Sequence, residues 1–186
     1  MATSVSLAFL ILRLVGGLTL AAHGAQKLFG WFEGPGPAKL AQGFHGQGFK
    51  PVWIWVGLVI LGEFGGGLSL ALGCLTPLGA AGGVGAMCMA IFKTHWRNGF
   101  WNSKRGYEFP LALLAIAVAV GVAGPGAYSL DSFLGLLLPE ALIFGVLAAT
   151  ALLVDAVGLY ISRPAAAAAS QSAAKPRSAG ETRRNG

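Results

Sequence analysis

Five side chains that could do chemistry stand inside, or at the ends of, long apolar stretches of the chain. They are Arg13, His23, Lys27, Glu63 and His95. A charge placed in membrane hydrocarbon costs from roughly 2.5 to more than 10 kcal/mol, so such residues usually face the interior of a helix bundle and mark function. The pattern predicts a buried polar site in a membrane protein.

The composition is that of an integral membrane protein. Of the 186 residues, 55% are hydrophobic and 11% are charged, which excludes an ordinary soluble domain. A span needs about twenty apolar residues, because each residue of a helix covers about 1.5 Å of roughly 30 Å of hydrocarbon. Five candidate spans are predicted at 7–29, 52–74, 78–94, 109–123 and 133–161, the apolar part of the last being 141–161.

These spans predict an all-α fold, a polytopic membrane bundle over residues 1–163. The tail at 164–186 is rich in Ala, Ser, Lys and Arg, and it should be disordered because it cannot bury enough apolar surface. A Gly-Pro-Gly-Pro sequence breaks the helical pattern after the first span, and a short interfacial helix is expected at 38–44. Its aromatic anchors would be Trp31, Trp53 and Trp55.

Loop charge predicts the orientation, because Lys and Arg accumulate in short cytoplasmic loops. With five spans, the cations of the first and third connections and of the tail all fall on one face, while the second and fourth connections carry none. The prediction is a multi-pass membrane protein with its N-terminus outside and its C-terminus in the cytoplasm. A nucleic-acid partner is not indicated, because the cations form no stripe with interleaved aromatic residues; the expected partner surface is the lipid bilayer.

A weak internal repeat relates the first two spans. The segments that begin at Arg13 and Glu63 match at an offset of fifty residues, each with a Gly-Gly pair three residues on. Paired glycines let helices approach closely. Arg13 and Glu63 are both expected in the outer half of the bundle, where they would form a buried ion pair. Two interpretations stay open: a tie between helices, or part of a ligand or proton site.

A second polar group is expected at the cytoplasmic end of the bundle. The first span and the third loop bring two imidazoles, an ammonium, an amide, a phenol and a carboxylate to the same face. The candidate ligand-binding or proton-relay residues are His23, Lys27, His95, Asn98, Tyr107 and Glu108. Such a group could hold a quinone or phenolic head by hydrogen bonds. Two histidines and a carboxylate can also bind a metal, but no metal-binding spacing is present and no metal site is assigned.

Six short motifs follow one another along residues 7–131. They are Leu12-Arg13-Leu14-Val15-Gly16, His23-Gly24-Ala25-Gln26-Lys27-Leu28-Phe29-Gly30, Gly62-Glu63-x-x-Gly66-Gly67, His95-x-x-Asn98-Gly99-Phe100, Gly106-Tyr107-Glu108 and Gly124-Pro125-Gly126-x-x-Ser129-Leu130-Asp131. Together they resemble the DoxX family of bacterial integral membrane proteins. The resemblance implies a four-helix membrane core at about 7–131, from which the extra span at 133–161 and the tail depart. It implies a redox association with quinones, and it assigns no catalytic residue.

The leading hypothesis is therefore a redox-associated membrane protein that binds a quinone-like or aromatic small molecule. The chain has no flavin, haem or iron–sulfur motif, so bound quinone is the one cofactor considered. Any enzyme activity would be that of a subunit of a quinone-linked oxidoreductase, acting with a soluble redox enzyme or another membrane subunit. Two alternatives stay open: a small proton-coupled transporter, which would need a homo-oligomer, and a scaffold that recruits a cytoplasmic enzyme.

Overall fold

The computed structural model describes residues 2–136 and 139–162, and the predicted disordered tail at 164–186 lies outside them. The described part is helical and contains no strand, so the all-α prediction is confirmed. The helices are α1 (Ala2–Leu28), α2 (Gly36–Gly46), α3 (Val52–Leu72), α4 (Thr76–Met89), α5 (Glu108–Ala123), α6 (Leu130–Phe133) and α7 (Glu140–Ile161). A π-helical turn, Leu61–Gly65, interrupts α3, and another, Ala90–His95, extends α4.

Three helices are long and apolar enough to cross a membrane: Thr3–Leu28 within α1, Val52–Leu72 and Glu140–Ile161. The apolar helix α5 has 16 residues and would cover only roughly 24 Å. Each predicted span contains a helix, while the count of five crossings stays a prediction. The expected start of the last span at 133 is wrong, because a turn with Gly135 at a φ of 68° separates α6 from α7.

Helix α4 forms the centre of the bundle, and α3, α5 and α7 pack around it. Half of its residues are glycine or alanine, and nearly all of its residues are buried. Small side chains let the neighbouring helix backbones approach closely, which is how helices associate where lipid offers no hydrophobic driving force. Larger side chains from the surrounding helices fill the remaining core, among them Leu20, Leu70, Leu113, Val120 and Phe144.

Helices α1 and α3 cross in antiparallel orientation at Gly17 and Gly67. A Cβ on Gly17 would lie 2.7 Å from the Gly67 carbonyl oxygen, and a Cβ on Gly67 would lie 2.7 Å from the Gly17 carbonyl oxygen. A Cβ on Gly17 would also contact Ala71, and a Cβ on Gly67 would contact Ala21. The two contacts are equivalent, because each residue of one corresponds to a residue of the other at an offset of fifty. The two segments of the repeat are thus related by a local twofold axis that passes between the glycines.

This crossing predicts a measurable contrast between two glycine-to-alanine changes. Gly17→Ala should lower the free energy of unfolding by about 1–3 kcal/mol, because the added methyl group would press on backbone atoms of α3 that cannot move aside. Gly57→Ala is the matched control, since a Cβ there meets nothing within 4 Å. It should leave stability unchanged or raise it by up to about 1 kcal/mol. Thermal unfolding in detergent checks both changes, and equal effects would contradict the crossing.

The segment between α1 and α3 forms the predicted short helix, which extends over Gly36–Gly46. Ala41 and Phe44 form its buried face, and Phe44 continues an aromatic cluster with Phe49 and Trp55. Trp31 and Trp53 are exposed, as interfacial anchors would be. The prediction for Trp55 is wrong: only 7% of it is exposed, because its ring lies against Gly158 of α7.

Candidate functional site

The most deeply buried carboxylate that pairs with a cation is Glu63, in the π-helical turn of α3. It is 3% exposed and forms a salt bridge with Lys27 at the C-terminal end of α1. The Lys27 ammonium also donates a hydrogen bond to Glu63 Oε2. Each charge offsets part of the cost of burying the other.

The predicted Arg13–Glu63 pair is therefore wrong, and the twofold crossing explains why. Equivalent residues of an antiparallel repeat lie on opposite sides of the crossing point, here on the order of 18 Å apart along the helix axes. Side chains also tilt toward the N-terminus of their own helix. Arg13 and Glu63 consequently lean away from each other, whereas Lys27 and Glu63 lean toward each other.

A cavity of about 320 Å³ opens beside the Lys27–Glu63 pair. We call it the polar chamber. It lies between the end of α1, helix α2, the middle of α3 and the end of α4, and its polar lining consists of Lys27, Lys39, Gln47, Glu63, Lys93, Thr94 and His95. Three lysines and one carboxylate belong to this lining, so it carries excess positive charge. The Lys93 ammonium donates to Ser162 Oγ and lies over the Phe49 ring. The Oε1 atom of Gln47 is buried with no hydrogen-bond partner among the described residues.

The imidazole of His95 is held in one orientation by the loop that follows it. Its Nδ1 lies 2.7 Å from the carbonyl oxygen of Arg105, and Asn98 Nδ2 donates to the same oxygen at 3.0 Å. A carbonyl oxygen can only accept, so Nδ1 carries the hydrogen in this contact. In the neutral ring, Nε2 is then a free acceptor.

Tyr107 and Glu108 build the loop rather than the chamber. Tyr107 stacks on Trp96, with ring centroids 5.3 Å apart, and meets Phe100 edge-on. Glu108 Oε2 accepts a hydrogen bond from the Asn102 nitrogen at 2.9 Å. Neither residue lines the polar chamber, and neither does Asn98. Asn98 shares the Arg105 carbonyl with His95, and none of the three residues contributes a group to the chamber itself.

Removing the Glu108 carboxylate should loosen this loop. In Glu108→Ala the Asn102 nitrogen loses its acceptor, which should cost about 0.5–2 kcal/mol of local stability, as at other helix N-termini. Hydrogen exchange of residues 99–107 should accelerate accordingly. Glu108→Gln, which keeps an acceptor oxygen, should exchange more slowly than Glu108→Ala. Unchanged exchange in Glu108→Ala would show that the contact does not hold the loop.

His23 lies outside the polar chamber. Its ring contacts Phe109 of α5, with centroids 5.3 Å apart. Of the six predicted inner residues, the structure thus places Lys27 and His95 in the chamber and His23 against α5. Sequence reasoning did not select Lys39, Gln47, Lys93 or Thr94, and it assigned Glu63 to the other pair. Lys39 lies in α2 and Gln47 directly follows it, while Lys93 and Thr94 lie in the π-helical extension of α4, beside the basic third connection. Glu63 lies in the middle of α3.

A second polar cluster lies at the other end of the bundle. Asp131, which is 1% exposed, accepts hydrogen bonds from the nitrogen of Leu75 at 2.7 Å and from the nitrogen and hydroxyl of Thr76 at 3.0 and 2.7 Å. Thr76 begins α4, whose first N–H groups have no partner within the helix. Asp131 therefore caps the central helix from a distant part of the chain. In the sequence Asp131 stands as the last residue of the sixth motif, which gave no sign of its role as a helix cap.

Arg13 belongs to this second cluster. Its side chain is fully buried and donates through Nη2 to the carbonyl oxygen of Tyr128, and Asp131 is close enough for electrostatic attraction. The guanidinium occupies the space left by Gly73, where a side chain would collide with it. Its Nε and Nη1 atoms have no hydrogen-bond partner in the described part of the chain. Arg13 thus joins α1 to the segment before α6.

These features define a class of protein: an all-α membrane protein whose helices enclose a charged chamber at one end. No group of three or more His, Cys, Asp or Glu side chains suited to a metal ion lies within residues 2–136 and 139–162. The DoxX family model matches residues 8–96, which include most of α1 and all of α2, α3 and α4. That match supports membership of the DoxX family for this part of the chain. A search of the curated proteins and a search of the solved structures found no match.

The matched stretch contains every residue of the polar chamber. The motifs at Asn98 and beyond lie outside it, as do α5, Asp131 and α7. The chamber is therefore the part of the candidate site that lies wholly in the DoxX domain.

Proposed function

We propose that this protein binds the head group of a quinone-like or aromatic small molecule in the polar chamber, and that it acts in redox metabolism with a partner. The observation that carries the proposal is the juxtaposition of Lys27, Lys93 and His95 around about 320 Å³ at the edge of an apolar bundle. That volume lies at the lower end of the range for small-molecule sites and suits one aromatic ring.

The chamber offers both kinds of hydrogen-bonding group that a quinone needs. Lysine ammonium groups donate to the carbonyl oxygens of the oxidised form. Glu63 and the Nε2 atom of His95 accept from the hydroxyl groups of the reduced form. Reduction of a quinone consumes two electrons and two protons; the protons can pass through these acceptors, and the electrons must come from a partner oxidoreductase because the chain contains no redox-cofactor motif.

The chamber's charge also supports the proposed orientation. Lys27, Lys39 and Lys93 come from different elements and gather at one end of the bundle. Cations concentrate on the cytoplasmic side of membrane proteins. We therefore place the chamber at the cytoplasmic end of an inner-membrane protein, with the start of α1 outside. A soluble redox enzyme could then reach the chamber directly.

Equilibrium binding of decylubiquinone to the full chain in lipid nanodiscs tests the proposal. Saturable binding at one molecule per chain is expected, and His95→Phe should weaken binding of the reduced form, decylubiquinol, about tenfold through loss of the Nε2 acceptor. Asn98→Ala is the matched control, because it removes the parallel contact to the Arg105 carbonyl without removing a chamber group. It should change the affinity less than threefold, roughly 0.7 kcal/mol.

Two results would overturn the proposal. One is the absence of saturable binding by protein that remains folded. The other is equal weakening in His95→Phe and Asn98→Ala, which would show that the loop matters and the imidazole does not.

The local twofold axis favours a second candidate, a small proton-coupled transporter. Inverted repeats with binding residues near their interface are common in transporter folds. Glu63 lies one turn from Gly67 and could take up a proton when its salt bridge with Lys27 opens. Glu63→Gln should then abolish proton flux into proteoliposomes while leaving decylubiquinone binding measurable. Absence of flux in the unmodified protein removes this candidate.

A further inference from the structure

A larger cavity lies on the opposite side of α3 from α1. It has a volume of about 570 Å³ and is enclosed by α3, α4 and α7; we call it the α7 cleft. Glycine and alanine residues of α3 and α4 form much of its wall, among them Gly62, Gly66, Gly82 and Ala86. Val59, Ala86 and Met89 line both this cleft and the polar chamber, so they form the partition between the two.

The α7 cleft is elongated along the bundle. Its lining residues on α3 extend from Trp55 to Ser69, which corresponds to roughly 21 Å, about two thirds of the hydrocarbon thickness. Leu58, Leu61 and Leu78 line it and are 44%, 68% and 56% exposed. The cleft therefore opens between apolar side chains on the outer surface of the bundle, where lipid chains would lie.

Two polar atoms in this apolar wall have no partner. The Nε1 atom of Trp55 is a buried donor on a side chain that is 7% exposed. The Oδ2 atom of Asp155 on α7 is a buried acceptor, close to Gly85 of α4. Both residues line the cleft, and neither atom has a hydrogen-bond partner among the described residues. In a membrane an unsatisfied polar group costs several kcal/mol, so these atoms point to a ligand.

The donor and the acceptor lie at the same end of the cleft. The Trp55 ring packs against Gly158, which follows Asp155 by three residues on α7 and therefore shares its face. Ser69 and Leu78 line the opposite end. One end of the cleft thus offers partners for a polar head, while the rest of its length is apolar apart from Ser69 and Thr150.

We infer that the α7 cleft binds a long-chain membrane lipid whose head group presents a hydroxyl. The hydroxyl hydrogen is donated to Asp155 Oδ2, its oxygen accepts from Trp55 Nε1, and the chain lies along the glycine and alanine wall. A helix of a second copy would fill the cleft less well, because its backbone groups are already paired and would leave both atoms unsatisfied. This site is separate from the polar chamber and does not rest on the quinone proposal.

Photolabelling with a matched pair of probes tests the inference. The full chain in nanodiscs of phosphatidylethanolamine and phosphatidylglycerol is labelled with hexadecanol that carries a diazirine in its chain, or with the methyl ether of the same probe. In the ether a methyl group replaces the hydroxyl hydrogen that Asp155 would accept. Peptide mass spectrometry should show about tenfold more labelling of the cleft walls by the alcohol than by the ether.

Variants of Asp155 show whether the preference for the alcohol comes from its hydrogen bond to Asp155 or from the fit of the probe in the cleft. Asp155→Leu removes the acceptor and should reduce the preference for the alcohol to below about twofold, whereas Asp155→Asn keeps an acceptor oxygen and should retain most of it. Competition by a monoacylglycerol or by a long-tailed hydroquinone would support the inference and identify the source of the hydroxyl. Equal labelling by the two probes, a preference that survives Asp155→Leu, or cross-links between copies in place of cleft labelling would overturn it.

Discussion

Replacing Asp131 with alanine is expected to lower the free energy of unfolding by about 3–5 kcal/mol, which is the usual cost of removing one member of a buried charged network. The change removes the acceptor of three hydrogen bonds at the start of α4 and leaves Arg13 without its nearby negative charge. Since α4 is the central helix, the loss of stability should affect the whole bundle. Unfolding of the purified protein in mixed micelles with increasing denaturing detergent measures it.

Glu33→Ala is the control for this prediction, because Glu33 is an exposed carboxylate away from the cluster. It should change stability by less than about 0.5 kcal/mol. Asp131→Asn should fall between the two, since an amide keeps one acceptor oxygen and loses the charge. If Asp131→Ala unfolds no more easily than Glu33→Ala, Asp131 does not cap α4 in the membrane protein.

Removing the Glu63 carboxylate alone is expected to lower the free energy of unfolding by about 3 kcal/mol, because Glu63→Leu leaves the Lys27 ammonium without its partner. The double change Lys27→Met with Glu63→Leu should recover most of that loss, since it replaces both charges with apolar side chains of similar size. The coupling energy between the two positions should therefore exceed about 1 kcal/mol. Unfolding of the four variants under the same conditions gives this value.

The coupling energy between Arg13 and Glu63 is the comparison for the coupling energy between Lys27 and Glu63. The sequence repeat suggests that Arg13 pairs with Glu63, while the structure pairs Glu63 with Lys27. A second cycle with Arg13→Met and Glu63→Leu should give a coupling below about 0.5 kcal/mol, as expected for separate sites. Strong coupling to Arg13 and none to Lys27 would mean that α1 and α3 cross at a different register.

Much of the fold could be predicted from hydropathy and from the residues that break helices. The predicted first, second, fourth and fifth spans end at 29, 74, 123 and 161, and the helices end at Leu28, Leu72, Ala123 and Ile161. A glycine follows the ends of α1, α3 and α5 within two residues: Gly30, Gly73 and Gly124. Local signals therefore located the ends of helices well.

The partners of the buried charges could not be predicted in the same way. The repeat correctly indicated that α1 and α3 pack through Gly17 and Gly67, but it did not give the direction in which side chains tilt away from that crossing. Arg13 and Glu63 seemed close when depth was counted along each helix separately. The antiparallel register and the tilt together decide the pairing, and both depend on the assembled bundle.

The Asp131 cap and the α7 cleft illustrate a second limit. Asp131 reaches Leu75 and Thr76 across a sequence separation of more than fifty residues, and Asp155 meets Gly85 across seventy. Hydropathy treats Asp155 only as an interruption of an apolar span. Its position in the wall of a cavity becomes visible only when α7 is packed against α3 and α4.

Photolabelling with an azido-substituted quinone tests the central claim, that the polar chamber holds the head of a quinone-like molecule. The full chain in nanodiscs is labelled at a saturating probe concentration, and the modified peptides are mapped by mass spectrometry. The label should concentrate on residues 35–47 and 90–95, which supply most of the chamber wall, and excess unlabelled decylubiquinone should displace it. Label spread evenly over the lipid-facing helices, or concentrated near Arg13 and Asp131, would contradict the claim.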